Sequence, residues 1–258
     1  MRQITVLFLL LLITLMLPEK SCQAEAFNHI WGGFSSSLLL RNRQQRHNTT
    51  TAARDLDMLI IMPGETFSFN ERVGARDSSK GYSPAPVITS QGLLEDIPGG
   101  GICQLASTIY NAGLLAGMVV IERHPHSRTV GHIPPGRDAT ITSWRKDLKL
   151  RNSSEKPLQL RISLNQNRLT ASFNSEVEKP FTVEIMVRRT TVLPYTIVSK
   201  TTSNTTNQRG VNGYSTETRR IIRQNGLINE ELISEDYYPA PSRLIAAGEG
   251  KNGKGGQK

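Results

Sequence analysis

The sequence predicts an α+β protein: helices in the first half packed on a largely antiparallel sheet, followed by a small β-rich C-terminal module. Three observations carry this expectation. Apolar residues recur at helical spacing over Thr50–Ile61 and again over Ile102–Gly117. Beyond Gly136 the pattern changes to short alternating or β-branched runs broken by turn residues, as strands require. Helices first and strands later indicate an α+β arrangement.

The first element is "MRQITVLFLLLLITLMLPEKSCQAEA", with Arg2, an apolar block over Val6–Leu17, and Ala24-Glu25-Ala26. This is the plan of a secretory signal peptide cleaved after Ala26, and the block is too short for a comfortable membrane span. Cys22 suggests a lipoprotein signal, but Glu19-Lys20-Ser21 puts charge where such signals carry apolar and small residues. Cleavage after Ala26 removes Cys22 and leaves Cys103 as the mature chain's one thiol, without a disulfide partner. The expected location is secreted or wall-associated, with membrane contact only through an uncleaved signal.

Residues 27–200 read as the main domain. "WGGFSSS" is a small-residue loop ahead of the helix at Thr50–Ile61, which Pro63-Gly64 ends. Thr66-Phe67-Ser68-Phe69 alternates as a short strand, and Pro86–Thr89 is a strand within a loop-rich stretch. Ile102–Gly117 is a well-packed helix, and Met118–Arg123 a buried central strand. "GRDATITSW", "LKLRNSS", "PLQLRISLNQNRLTASF" and "FTVEIMVRRTTVLPYTIVS" follow as strands. "KTTSNTTNQRG" is polar without apolar periodicity, giving a linker over 201–210 or a long hairpin tip. Residues 211–247 form the β-rich module around an Asn225-Gly226 hairpin turn, and 248–258 a Gly/Lys-rich tail expected to be disordered.

The formal charge is +9, and removing the signal leaves it unchanged because Arg2 and Lys20 balance Glu19 and Glu25. A basic exported chain suits anionic wall polymers, although solubility alone also accounts for the charge. No basic run interleaves with aromatics and no zinc spacing is found, so nucleic acid is not expected as a partner.

Chemistry concentrates in "PGGGICQLASTIYNAGLLAG". Cys103 stands behind Gly99-Gly100-Gly101 at a helix start, where unpaired amides favour a thiolate. The amides of Gly100, Gly101 and Ile102 are candidates for holding an oxyanion. Three of the five histidines, His124, His126 and His132, fall just past the next strand. Helix, strand and return can bring one of them back to the thiol as a base. His126 and His124 flank Pro125 and in an extended segment point to the same side. His126 is the favoured base, because the restriction before Pro125 suits His124 to a supporting role. Asp138 or Glu122 is placed to orient the ring. A small buried cysteine beside packing glycines is the structural alternative. An HxH pair can bind zinc but needs more ligands, of which Cys103 is only one candidate, so neither metal nor cofactor is expected.

"PGETFSFNERVG", "GYSPAPVI", "GGGICQLASTIYNAGLLAG", "ERHPHS", "PPGRDATI" and "DLKLRNSSEKPLQL" in this order resemble the VanW family, over roughly Arg41 to Phe173. The shared motifs fall on Glu65, Asn70, Cys103, Gln104, Ser107, His124, His126, Arg137 and Asp138; Ala75-Arg76 departs from the family's usual proline before the basic residue. The C-terminal region looks more loosely like the glycine-named G-five module. Cysteine at a helix start followed by a strand-borne histidine is also similar to NlpC-type wall peptidases, as an analogy of arrangement.

The resemblance implies an envelope protein linked to peptidoglycan or antibiotic response. The leading expectation is a cysteine-dependent enzyme acting on peptidoglycan peptides or related wall amides. Cys103 attacks, His126 or His124 is base and acid with Asp138 orienting, and Gly100, Gly101, Gln104 and Arg137 bind substrate. The rival is a non-catalytic wall-binding or scaffolding protein.

Overall fold

The computed structural model describes residues 26–88, 94–143, 145–200 and 210–246. The expected signal peptide up to residue 25, residues 201–209 of the expected linker and the 248–258 tail lie outside the described residues.

The chain runs β1 (His29–Ser37), α1 (Arg43–Leu56), β2 (Ile60–Ile61), β3 (Thr66–Ser68) and α2 (Phe69–Val73). A 3-10 turn at Ser78–Lys80 leads to β4 (Pro84–Ile88), β5 (Leu94–Pro98), α3 (Ile102–Leu115) and β6 (Val119–Glu122). Next come β7 (Lys149–Arg151), β8 (Leu158–Leu164), β9 (Arg168–Ser175) and β10 (Thr182–Leu193). The remainder is β11 (Ile197–Lys200), β12 (Gly213–Gln224), β13 (Leu227–Tyr238) and β14 (Arg243–Ala246). The described residues are mostly β with three α-helices, in antiparallel sheets apart from the parallel pair β11–β14.

The expected order of helices first and strands later does not hold, because strands begin at His29. "HIWGGFSSS" carries no strand pattern of its own; its register is fixed by pairing with β9 in the sheet β1-β9-β8-β2. Small residues there admit a helix. A Cβ on Gly32 would lie 2.3 Å from the Ala112 carbonyl and 2.2 Å from the Ala116 nitrogen, so α3 touches this strand backbone to backbone. Leu105, Ile109, Tyr110, Leu114, Leu160 and Phe173 are buried in the core that results. Each such side chain contributes about 1.5–3 kcal/mol by leaving water.

The first helix covers Arg43–Leu56 rather than Thr50–Ile61. Asn42 and Gln45 form a capping box that starts it early. Its buried stripe begins with Gln45, Asn48 and Thr49, polar residues that an apolar count passes over. Asn48 is satisfied by donating to the Ser83 and Gly100 carbonyls at 2.9 and 3.0 Å. Asp57 closes the helix, and Ile60–Ile61 pair with β8 as β2.

Met118–Arg123 was expected as a central strand, but β6 is an edge of the sheet β3-β7-β6. "GRDATITSW" is no strand either; only Thr142 bridges, to Lys146. Its backbone is held by side chains and loops instead. Ala139 N–H donates to Ser107 Oγ of α3 and Thr140 N–H to the His124 carbonyl. That arrangement fixes Asp138 beside the chain that carries His126.

β10, ahead of the expected linker, pairs along its length with β12, and β12 with β13, so strands on both sides share one sheet. Asn225 and Gly226, both at positive φ, make the two-residue turn of the β12–β13 hairpin. This sheet reaches back to α3. Arg220 of β12, 2 % exposed, donates to the Leu114 and Met118 carbonyls, a cation at the helix C-terminus. Among the described residues no helix is long and apolar enough to cross a membrane.

Candidate active site

Cys103 is the second residue of α3, whose N-cap is Gly101. Its sulfur is half-buried, donates to the Ile141 carbonyl at 3.7 Å, and interacts electrostatically with the His126 imidazole. The other face of that imidazole is fixed. Asp138 Oδ2 accepts from His126 Nδ1 at 2.5 Å and from the His126 backbone N–H at 2.7 Å. With Nδ1 protonated toward the carboxylate, Nε2 is the nitrogen left for the thiol. Cys103, His126 and Asp138 therefore stand in the relation of nucleophile, base and orienting acid.

Asp138 is 1 % exposed and held from two further sides. Arg123 Nη2 donates to Oδ1 at 2.9 Å, and the Tyr238 hydroxyl to the same oxygen at 2.5 Å. Arg123 also bonds Asp236 at 2.5 Å, and Tyr238 accepts from Gly136 N–H at 2.8 Å. Two residues of β13 thus complete the surroundings of the carboxylate. No local sequence signal points to them, because their partners lie about a hundred positions earlier in the chain.

The charges follow from these contacts. Burial raises the Asp138 carboxyl, but the bonds and charges of His126 and Arg123 outweigh it and bring it down to about 2. Burial disfavours a charged His126, yet Asp138 and Cys103 raise the ring to about 9. Burial also pushes the Cys103 thiol up; the His126 hydrogen bond and charge, with Arg76 adding, leave it below its ordinary value. Both shifts favour the charged form of each partner, thiolate and imidazolium.

The structure separates the other candidates. His124 Nε2 bonds Glu122 Oε1 at 3.1 Å and is not among the residues that line the cleft, as His126 is. Gly100 is packed away from the cleft: a Cβ there would sit 2.3 Å from the Ala85 carbonyl. The amides of Gly100 and Ile102, expected to hold an oxyanion, already donate to Ile97 and Gly99 carbonyls. Gly101 does line the cleft. Gln104 is 1 % exposed; its amide donates to Ser36 Oγ and the Ser37 carbonyl while its oxygen accepts from Arg41 Nε at 2.5 Å. Arg137, expected to bind substrate, bonds Asn111, lies over the Phe34 ring and is not among the residues that line the cleft.

A cleft of about 1100 Å³ opens at the thiol, lined among others by Arg41, Arg76, Cys103, His126, Arg128 and His132. Glu95 is the one acidic side chain among the described residues that line it. Arg41 and Arg76 each interact electrostatically with Cys103. Sequence reasoning assigned neither a role, since isolated arginines in loops have no distinguishing pattern. Among the described residues, no group of three or more His, Cys, Asp or Glu is arranged to hold a metal.

A cysteine beside a carboxylate-oriented imidazole thus stands at the mouth of a cleft. The chain belongs to the family of VanW-like proteins, whose model matches residues 44–174. It is 43% identical over 110 residues to the uncharacterized protein YoaR of Bacillus subtilis, covering 43% of this chain and 36% of that one. It is 32% identical over 125 residues to the vancomycin B-type resistance protein VanW of Enterococcus faecalis, covering 46% and 44%. The chain thus spans less than half the length of either relative. No solved structure matches. The family match holds Cys103, His126 and Asp138 but ends before Asp236 and Tyr238.

Proposed function

We propose that this chain is an exported cell-envelope protein whose Cys103 site transfers acyl groups from peptide amides of peptidoglycan or a related wall polymer. The observation that carries the proposal is the Asp138–His126 hydrogen bond beside Cys103, with the imidazole and the thiol lining one cleft and interacting electrostatically. The Cys103 thiolate attacks the amide carbonyl carbon, and the carbonyl π pair moves onto oxygen. Collapse of the adduct breaks the C–N bond, and the leaving amine takes its proton from the His126 imidazolium. Water or a second amine then attacks the thioester, gives its proton to His126, and releases the thiolate.

Three arginines against one glutamate at the cleft favour a substrate bearing carboxylates, as wall peptides do. The N-terminal leader pattern supports export. The printed name of the Enterococcus relative ties that protein to vancomycin resistance, and the proposal carries a role in glycopeptide response to this chain.

The test incubates the protein with purified peptidoglycan and compares fragments with those from Cys103→Ser by mass spectrometry. New amide cleavage or exchange should vanish in the variant. Identical fragment patterns from both proteins would leave wall binding without chemistry as the better account.

A further inference from the structure

We propose that the Nε2–H of His132 is the donor that receives the carbonyl oxygen of the substrate attacked by Cys103. The proposal rests on the acyl-transfer reading above and assigns it a missing part. An adduct at Cys103 places negative charge on oxygen, and two of the three amides expected to meet it, those of Gly100 and Ile102, are already engaged, so that a second donor beside Gly101 is wanted.

The polarity of His132 is set by a chain of bonds that runs one way. Gln104 donates to Ser36 Oγ and the Ser37 carbonyl, so its oxygen is left to accept from Arg41 Nε. Arg41 Nη2 lies 2.6 Å from His132 Nδ1. A guanidinium can only donate, so Nδ1 accepts and the ring proton sits on Nε2. That Nε2 is buried and has no hydrogen-bond partner. Buried donors are rarely left so. His132 is one of the residues that line the cleft beside the nucleophile, so an acceptor that enters there, with a small turn of the ring, has a donor to meet.

The ring lies edge-on to His126 with centroids 5.9 Å apart, and His126 in turn interacts electrostatically with Cys103. Both imidazoles and the thiol line the same cleft. Burial first, then the charges of Arg41 and His126, hold His132 far below its ordinary value, at about 3. The ring therefore stays neutral in the working range and donates a hydrogen bond without giving up its proton.

The test sets two reagents against one thiol. Iodoacetamide alkylates Cys103 at a saturated carbon and develops no oxyanion, whereas p-nitrophenyl acetate acylates it through one. His132→Phe should slow acylation about 10²–10³-fold, with alkylation within about threefold; His132→Gln, which keeps a donor, should recover part of the acylation rate. Equal losses in both reactions, or no loss in either, would overturn the assignment. A measurement on unaltered protein guards against misfolding of the variants. Adding a short peptide aldehyde, whose carbonyl carbon Cys103 attacks to give a hemithioacetal, should move the His132 Nε2–H proton resonance downfield, and an unmoved resonance would overturn it. A wild-type thiol that alkylates but never acylates would instead sink the acyl-transfer reading itself.

Discussion

His126 and His132 sit edge-on in one cleft and are made opposite by what lies behind each ring. A carboxylate backs His126, so its Nδ1 carries the proton, the ring favours the cation, and Nε2 faces the thiol. A guanidinium backs His132, so its Nδ1 accepts, the ring stays neutral, and Nε2 carries the proton. Residue type therefore says little about the role of either. The atom behind the ring decides which nitrogen donates and which charge is tolerated.

The severest test of this contrast replaces the carboxylate. Asp138→Asn keeps the shape but presents an amide to His126, removing the charge that raises the ring. Amide turnover in the proposed reaction should fall about 10³–10⁴-fold. The alkylation profile of Cys103 should move to higher pH, toward that of an ordinary thiol. A variant with an unmoved profile would show that Asp138 does not govern the pair. Thermal unfolding belongs beside it, because Arg123 loses one of two buried carboxylate partners. A loss of up to about 3–5 kcal/mol is expected on that account.

pH separates the two imidazoles further. His126 has a folded pKa raised to about 9 from an ordinary 6.5, so its contribution to stability is full below 6.5 and is lost as pH rises through 9. His132 is the reverse. With a folded pKa lowered to about 3 from 6.5, its contribution is present above 6.5 and drains away as pH falls toward 3. Urea midpoints across pH 4–10, in a Cys103→Ala background to remove the opposing effect of the thiolate, should fall on both sides, the alkaline fall coming below 9 because Cys103 no longer helps to raise His126. His132→Gln should flatten the acid side and His126→Gln the alkaline side. The opposite assignment of the two limbs would break the comparison.

Part of this site was legible in the sequence, for reasons that differ residue by residue. Cys103 stood out because Gly-rich turns before helical periodicity mark a helix start, and His126 because strand and return lead back to it. The β12–β13 turn was legible from Asn-Gly alone. What could not be read depends on partners distant in sequence or on polar burial. The helix beginning at Arg43 was missed because Gln45, Asn48 and Thr49 do the burying. Tyr238 and Asp236 carry no local pattern, and Arg41 gains its role only through Gln104 and His132. Gly100 was read as a binding residue although its task is to let Ala85 come close.

Tyr238→Phe probes that distant contribution. It deletes a hydroxyl that donates to Asp138 and accepts from the buried Gly136 amide. The expected cost is about 1–3 kcal/mol, because one buried donor is left unsatisfied. Asp138 keeps Arg123 and His126, so the alkylation profile of Cys103 should shift only slightly upward. A shift as large as that of Asp138→Asn would mean that β13 sets the charge of the pair rather than its support.

The smallest effect is expected at His124, and its smallness is what it tests. His124 shares residue type and neighbourhood with His126, and in an extended chain it would face the same way. In the fold it bonds Glu122, which in turn meets Lys149 at 2.9 Å on the outer side of β6. Both side chains of the His124–Glu122 pair are about a third exposed, so their attraction is largely screened and worth about 0–1 kcal/mol. His124→Ala should therefore leave Cys103 alkylation and acylation within about twofold and stability within about 1 kcal/mol. A large loss of acylation with an intact fold would place His124 in the cleft and make the choice of base between the two histidines wrong. A near-silent result isolates position behind the ring, rather than the presence of a histidine, as what separates these imidazoles.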